Sequence, residues 1–451
     1  MNDKKVLFIT VSNLMTVRNY FHTGLAHSLS NSYHLIFLCD EDIFIELNKL
    51  GQLPPKEKFE IHSVKTSKNR LFKYLFSLFT IAHNATMYKF SSSKKMIVDQ
   101  ILNKKSSYLT KFLVKSKLDI LFFKLFKNCL LSFRFIFKDS IKVINPNKAT
   151  LVLTLPQSFL DFYIFLVLGK VVDKCVNQIF SWDNVTSRGP ILNTPDYFFV
   201  WNKYVKEEVI KYYKYPENKI KLVSVPFYDF FHSNLSKNNF EIPNVKQKFT
   251  LLYATGETSF IDYEPKLVEE IYNTLKDRYN LSFIIRLHPL DKLENYNFRN
   301  HSNVKIVEPT SYVFNLKNQP EYYFSKNDYQ MYVDQLINSD LILNIASTVT
   351  IDSLILGKNV ANINFMPQSY NGNKNVNDYY KTDHYSKIVM HDLVPIIKNY
   401  NELFNLVDNI ISNSFSYNKS KMKKFKRDFF SLENENLSST KKLIHGFHQI
   451  N

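Results

Sequence analysis

The sequence predicts an α/β protein of the doubly wound, parallel-sheet type, in two halves, and three observations lead there. Ser339–Phe365, SDLILNIASTVTIDSLILGKNVANINF, reads as an apolar strand, a polar turn, an amphipathic helix stopped at Gly357 and a second apolar strand. That order is the βαβ unit of a parallel sheet. The chain opens on a similar plan, with a buried-type strand at Val6–Val11 and a second strand at Tyr33–Cys39. Finally, 451 residues with 45% hydrophobic content suffice for two cores rather than one.

After Val6–Val11, Ser12–Asn19 is expected as a polar turn carrying Arg18, and Tyr20–Leu29 as a helix carrying His22. The intervening SNLMTVRNYFHTG lacks the Gly-rich dinucleotide fingerprint, which argues against a nicotinamide or flavin enzyme, and no cofactor is expected. Phe44–Leu50 is a short helix and Glu60–Val64 a strand. Leu71–Ile144 then reads as helical, basic and aromatic. Residues 65–148 hold 18 Lys and Arg against three acids, which accounts for nearly all of the chain's net +17. Apolar pairs alternate there with Lys at helical spacing. Such a helix can lie on an anionic membrane surface, or it can face a core with its other side solvated. No nucleic-acid motif accompanies it, and its aromatics form one apolar face rather than a stacking platform. Thr150–Thr154 is a strand, and Asp161 falls in the following loop or helix start. Asn177–Phe180 is a strand that leads into Ser181-Trp182-Asp183-Asn184-Val185-Thr186-Ser187-Arg188-Gly189. Asp196–Val200, Asn202–Tyr213 and Ile220–Val223 follow as strand, helix and strand. Residues 1–231 thus form a first domain with a helical insertion at 65–148, and 232–248, without periodicity, form a linker.

The second domain, residues 249–400, opens with the strand Thr250–Ala254 and the turn Thr255-Gly256-Glu257. In a chain with only 8 glycines, Gly256 at a strand end marks either close backbone approach to a ligand or an ordinary turn. Pro265–Tyr279 is a helix. The run FIIRLHPLD places Arg286 and His288 two residues apart, on one face of a strand, and Pro289 keeps His288 extended. Val304–Val307 is a strand that ends at Glu308, and Asp328–Asn338 is a helix. Ser347, Thr348 and Thr350 open the helix of the βαβ unit. An ordinary N-cap has the same composition, but free N–H groups and the helix dipole also favour an anion there. A cation and an imidazole on the neighbouring strand point to phosphate, at the carboxyl edge where open sheets bind ligands. Tyr400–Ser412 and Lys419–Phe430 are helices within 401–451, expected to pack back on the first domain.

Cys39, Cys129 and Cys175 are far apart and odd in number, so neither a disulfide framework nor a zinc spacing is present, as in a reducing cytosol. The first apolar run is too short for a signal peptide, and no apolar stretch reaches the roughly 18 residues of a membrane span. The expectation is a cytoplasmic protein, peripheral on the inner face of the membrane, with no metal site.

The SWDN-x-T-S-x-G run at Ser181–Gly189, followed by Asp196, Asn202-Lys203 and Val223–Asp229, resembles a motif of bacterial surface-polysaccharide glycosyltransferases. His288-Pro289 and Ser347-Thr348 are similar to paired motifs of bacterial sialyl-, polysialyl- and Kdo-transferases and of glycerophosphate transferases of teichoic acid synthesis. The resemblance, over residues 145–365, is to GT-B enzymes. It implies two Rossmann-like domains facing a cleft, and metal-independent transfer from a nucleotide sugar to a glycan or lipid-linked acceptor in capsule or O-antigen assembly. Donor-binding residues would be Gly256, Glu257, Arg286, His288, Glu308, Ser347, Thr348 and Thr350. His288 would also serve catalysis by meeting the leaving group's charge. Asp183 is the first choice of general base, Asp161 the second and His22 the third; a turn or N-cap role accounts for Asp183 equally well. Arg18, His22, Trp182 and Asn184 would face the acceptor, Trp182 as a sugar platform. Ser224 departs from the pattern, which places a glycine before the hinge proline. The alternatives are a CDP-polyol phosphotransferase on the same phosphate site, a sugar-nucleotide epimerase, and a non-catalytic membrane-bound assembly partner.

Overall fold

A computed structural model describes residues 4–53, 59–66, 69–102, 108–116, 118–137, 149–233, 249–257, 261–298, 301–309, 312–316, 319–372, 375–430 and 438–450. The chain divides into two compact units. The first runs to Asp229 and includes Phe314–Glu321 and Arg427 onward; the second comprises Phe230–Val313 and Tyr322–Lys426. Most of the expected linker, residues 234–248, lies outside the described residues, as does 138–148 of the expected insertion.

The first unit contains β1 (Val6–Val11), β2 (His34–Asp40), β3 (Glu60–Val64), β4 (Ala149–Leu153), β5 (Lys174–Ile179), β6 (Tyr197–Val200) and β7 (Ile220–Leu222). They form one sheet in the order β3-β2-β1-β4-β5-β6-β7, parallel throughout. Strand order reverses between β1 and β4, which makes their carboxyl ends a topological switch point. Central strands are apolar along their whole length because helices cover both faces of such a sheet.

Local chemistry explains two departures. The expected polar turn after β1 is helical instead. Asn13 accepts the Thr16 N–H (2.9 Å), Leu14–Val17 form an α-turn, and Arg18–His22 continue as a π-turn. The polar residues were caps, and the buried Leu14 and Val17 already belong to the apolar face. Gly24, at φ +77°, breaks the run, and Leu25–Ser30 restarts it. After β4, Ser158 accepts the Asp161 N–H (3.0 Å) and opens the helix Phe159–Leu168.

Between β3 and β4 lie helices Arg70–Tyr88, Ser92–Leu102, Tyr108–Lys115, Asp119–Ser132 and Arg134–Phe137. Phe72 and Phe79 are fully buried, among Phe133, Phe137, Phe162 and Phe123. The same segment carries 11 of the 20 large apolar side chains that stand exposed among the described residues. No described helix is long and apolar enough to cross a membrane.

At the end of the chain, helix Ser439–Ile450 is capped from a distance. Asp229 accepts the N–H groups of Ser439 and Thr440 (2.6 and 2.7 Å), and Phe447 packs on Phe199. Ser224 adopts φ +60° and its hydroxyl meets that of Ser439 at 2.9 Å. A glycine adopts that left-handed backbone without strain, and the serine at this position carries some.

The second unit holds β8 (Phe249–Ala254), β9 (Leu281–Arg286), β10 (Val304–Val307), β13 (Leu341–Asn344), β14 (Val360–Ile363) and β15 (Ile396–Ile397), ordered β10-β9-β8-β13-β14-β15 and all parallel; a two-stranded ribbon, β11 (Tyr312–Leu316) and β12 (Gln319–Tyr323), is separate from that sheet. Register aligns Val307, Arg286, Ala254 and Asn344 across four strands. The residues that follow them therefore emerge together along one carboxyl edge, at the switch between β8 and β13.

Candidate functional site

That edge encloses a cavity of about 160 Å³. Its lining includes Thr255 after β8, Arg286 and His288 from β9 and beyond it, Ser347 after β13, and Phe324, Asp328, Tyr329 and Tyr332. The last three belong to helix Lys326–Ile337, which opens on a capping box between Ser325 and Asp328.

Arg286 is the central feature. Its guanidinium donates to Gln335 Oε1 at 2.7 Å and lies 4.6 Å over the Tyr332 ring. Burial draws its pKa below the ordinary value, opposed by Tyr332, Asp328 and Tyr329. Arginine nonetheless stays protonated in proteins. Among the described residues no carboxylate forms an ion pair with it. A buried cation is costly unless an anion compensates it. Here the direct partners are a neutral amide and an aromatic face, and Asp328 acts on the guanidinium without a direct ion pair, so its charge is only partly compensated at the wall of a cavity.

His288 is held beside it by its neighbours. Its N–H donates to Thr255 Oγ1 (2.8 Å), Thr255 donates to Asp291 Oδ2 (3.1 Å), and Tyr296 donates to the same oxygen (2.5 Å). The Leu290 N–H donates to Nδ1 (3.2 Å), which leaves the proton of the neutral ring on Nε2. Burial lowers the His288 pKa, with Glu257 and Asp291 opposing. At neutral pH the ring is therefore an uncharged donor through Nε2.

The Ser347 turn differs from expectation. Its helix, Val349–Ile355, has only seven residues. The N–H groups of Ser347, Val349 and Thr350 are engaged by Asn344 Oδ1 (3.1 Å), Ser347 Oγ (3.3 Å) and the Ser347 carbonyl (3.1 Å). The turn is tied off internally, so it offers a ligand the Ser347 hydroxyl rather than a ring of free amides. Ala346, at φ +42°, aims it. Thr348 is exposed. Thr350 is buried, its hydroxyl within 3.1 Å of Asn344 Oδ1, Asn362 Oδ1 and the Tyr385 hydroxyl, and it braces β13 against β14.

Gly256 also has a different role from the one expected. Its N–H goes to Glu264 Oε2 (2.6 Å), and a Cβ would lie 2.8 Å from Ile261 Cδ1. A Cβ there would displace the tip of the Ile261 side chain. Glu257 is half-buried near His288, and Glu308 is exposed just past β10. Sequence reading missed Gln335, Tyr332 and Asp328. Their spacing of i, i+4 and i+7 on one helix face is the signal that was available.

In the first unit, Asp183 is half-buried, and its carboxylate accepts from the hydroxyls of Ser181 and Ser187, the latter at 2.7 Å. It precedes the four-residue helix Asn184–Ser187. Asp161 is fully buried. Its Oδ2 accepts from Thr10 Oγ1 (3.0 Å) and the Leu155 N–H (2.8 Å), and burial raises its pKa to about 6. It ties β1 to the loop after β4. Trp182 is only 7% exposed, with its edge toward Phe429, so it has no open face for a sugar. Arg18 lies 3.9 Å over the Phe227 ring; His22 ends the same π-turn, half-buried. The Asn184 carbonyl is 3.5 Å from Gln157 Nε2. Among the described residues no group of three His, Cys, Asp or Glu side chains is placed to hold a metal.

Two parallel, doubly wound Rossmann-like sheets define the class: the fold is GT-B. Arabidopsis thaliana UGT89C1 matches over 99% of each chain, at 11% identity and a TM-score of 0.53. The UDP-GlcNAc 2-epimerase of Methanocaldococcus jannaschii matches over 99% of each chain, at 12% identity and a TM-score of 0.50. UGT89C1 complexed with quercetin also matches, at 11% identity and a TM-score of 0.50, over 99% of each chain. No family model matches the sequence. An uncharacterised protein of Methanocaldococcus jannaschii is 24% identical over 153 residues, 32% of this chain; the match spans about a quarter of that relative's length.

Proposed function

We propose that this protein is a glycosyltransferase of surface-polysaccharide assembly that moves a sugar from a nucleotide-sugar donor to a glycan or lipid-linked acceptor. One observation carries the reading: half-buried Arg286, which among the described residues forms no ion pair with a carboxylate, lines a cavity at the switch point beside the Nε2 donor of His288 and the Ser347 hydroxyl. A nucleotide phosphate supplies the missing charge. As the sugar–oxygen bond breaks, the leaving phosphate gains negative charge, and these three donors meet it; losing one such donor costs about 3 kcal/mol of barrier. Asp183 takes the proton from the acceptor hydroxyl as the new bond forms. Its two serine hydroxyls orient the carboxylate.

Helices between β3 and β4 supply the membrane part of the reading. Phe112, Leu121, Leu125, Phe135 and Ile136 are each more than half exposed, and Lys73, Lys115 and Lys124 stand exposed among them. That combination suits the headgroup region of an anionic leaflet.

A thermal-shift screen of UDP, GDP, CMP, CDP and dTDP tests the donor site. At a concentration of 100 Kd a ligand adds about 2.7 kcal/mol of stability. The expected result is a rise in Tm for at least one nucleotide, abolished in Arg286→Met and reduced in His288→Ala. An equal rise in Arg286→Met, or none in the wild type, overturns the assignment. Turnover of a CDP-polyol with no turnover of sugar nucleotides replaces glycosyl transfer by polyol-phosphate transfer.

A further inference from the structure

Lys94 has no place in the chemistry above, yet it is almost completely buried. It belongs to helix Ser92–Leu102, between β3 and β4, and is 2% exposed. Its Nζ donates to the carbonyls of Ser187 (2.8 Å) and Arg188 (2.6 Å). These are the last carbonyl of the short helix Asn184–Ser187, which Asp183 precedes, and that of its C-cap residue, and carbonyls at a helix end have no partner within their own helix. Ser187 also gives its hydroxyl to the Asp183 carboxylate. One ammonium thus holds the far end of the turn whose near end is Asp183.

The same connector is tied in the other direction. Lys89 pairs with Asp119 at 2.7 Å, and Asp119, 1% exposed, opens helix Asp119–Ser132 with its uncovered apolar face. Ser91 Oγ accepts the Lys94 N–H at 3.0 Å, fixing the start of the Lys94 helix. Lys89 and Lys94 stand five residues apart in the chain, so the tie to Asp119 and the tie to the Asp183 turn are joined through this one short connector.

We propose that Lys94 is a positioning residue that locks the Asp183 turn to the helical segment between β3 and β4, so that docking of that segment on an anionic lipid surface is felt at Asp183. The meaning for catalysis rests on the role given to Asp183 above; the lock itself does not. Three titratable groups face the ammonium: His83 from helix Arg70–Tyr88, and Arg188 and Asp183 from the turn. Burial keeps His83 neutral, with a pKa of about 3. Burial and then Arg188 pull the Lys94 pKa down to about 8, while Asp183 opposes them. The lock accordingly weakens in mild alkali.

The chain has two tryptophans, so Trp201→Phe leaves Trp182, adjacent to Asp183, as the sole indole reporter. Its emission is expected to change with a midpoint near pH 8. Lys94→Met abolishes that transition, and Lys94→Arg, which keeps a charged donor, holds the low-pH emission through pH 9. Hydrogen exchange gives an independent measurement. Amides of Thr186–Arg188 should exchange at least tenfold faster in Lys94→Met and return to near wild-type rates in Lys94→Arg. The Val205 amide, capped by Asn202, should not change. Phosphatidylglycerol vesicles should shift the Trp182 emission with Lys94 present and not with Met. Unchanged exchange at Thr186–Arg188 in Lys94→Met overturns the lock, and a vesicle response that survives that substitution overturns the coupling. Neither readout uses a nucleotide, so both are independent of the donor-site screen.

Discussion

Arg286 and Glu264 show how burial sets chemistry one side chain at a time. Both were drawn into the second unit by strands and helices whose apolar neighbours fixed the packing, and both carry a charge that packing disfavours. Arg286 cannot shed its proton, so it stays a cation at the cavity wall. Glu264 can take one up. Its carboxyl, 1% exposed, accepts from the Tyr253 hydroxyl (3.0 Å) and the Gly256 N–H (2.6 Å), and burial raises its pKa from 4.5 to about 8. Between those values the native state holds a proton that the unfolded chain has released. Stability contributed by Glu264 is therefore complete below pH 4.5 and lost as pH rises to about 8. Urea midpoints measured across that window should fall less steeply with pH in Glu264→Gln than in the wild type; parallel slopes would contradict the assignment. Arg286 and His288 were legible because an alternating strand puts them on one face. The depth at which Arg286 sits was not, since it depends on Tyr332 and Gln335, about 50 residues away in sequence.

Helices and turns show a competition between local and tertiary terms. Gly446 lies within helix Ser439–Ile450, where alanine is better by about 1 kcal/mol on intrinsic propensity. A Cβ there would lie 2.9 Å from Val223 Cγ1 and 3.4 Å from the Phe199 ring. Overpacking of this kind costs about 1–3 kcal/mol, so packing outweighs propensity. Gly446→Ala should lower stability by up to about 2 kcal/mol in urea unfolding, and a stabilised variant would show that the helix is loosely docked. The Ser347 turn makes the same point. Its Ser-Thr composition predicted a helix start correctly, but Asn344 and Ser347 consume the amides that the pattern alone leaves open. Likewise Asn13 read as a turn residue because a cap and a turn favour the same side chains.

Across the molecule, charge and apolar exposure coincide in one segment. The helices between β3 and β4 bury one aromatic face and leave the other bare, within a stretch of net +15. Each basic residue near an anionic surface contributes roughly 1 kcal/mol, and salt screens that attraction. Sedimentation with phosphatidylglycerol-containing vesicles should pellet the protein at low salt and release much of it at high salt. Phe112→Asp with Leu121→Asp should abolish the pelleting while leaving nucleotide-induced thermal shifts intact. Equal binding to neutral vesicles would remove the electrostatic part of the reading.

Two parallel sheets and the approximate strand ends were determined by the sequence alone, because apolar runs of strand length separated by helical periods admit few other arrangements. So was the pairing of Arg286 with His288, a consequence of the two-residue repeat. The strand order and its switch points were not. Tertiary structure decided which polar groups face a cavity and which are spent inside the fold. Thr350 and Asp161 resemble ligand-binding residues in the linear chain, yet both are consumed by neighbours from other strands. Lys94 looks like one lysine among many and is buried against carbonyls more than 90 residues away. The reason is physical: a polar side chain's role depends on whether water, a ligand or another part of the chain supplies its partner, and only the folded packing selects among them.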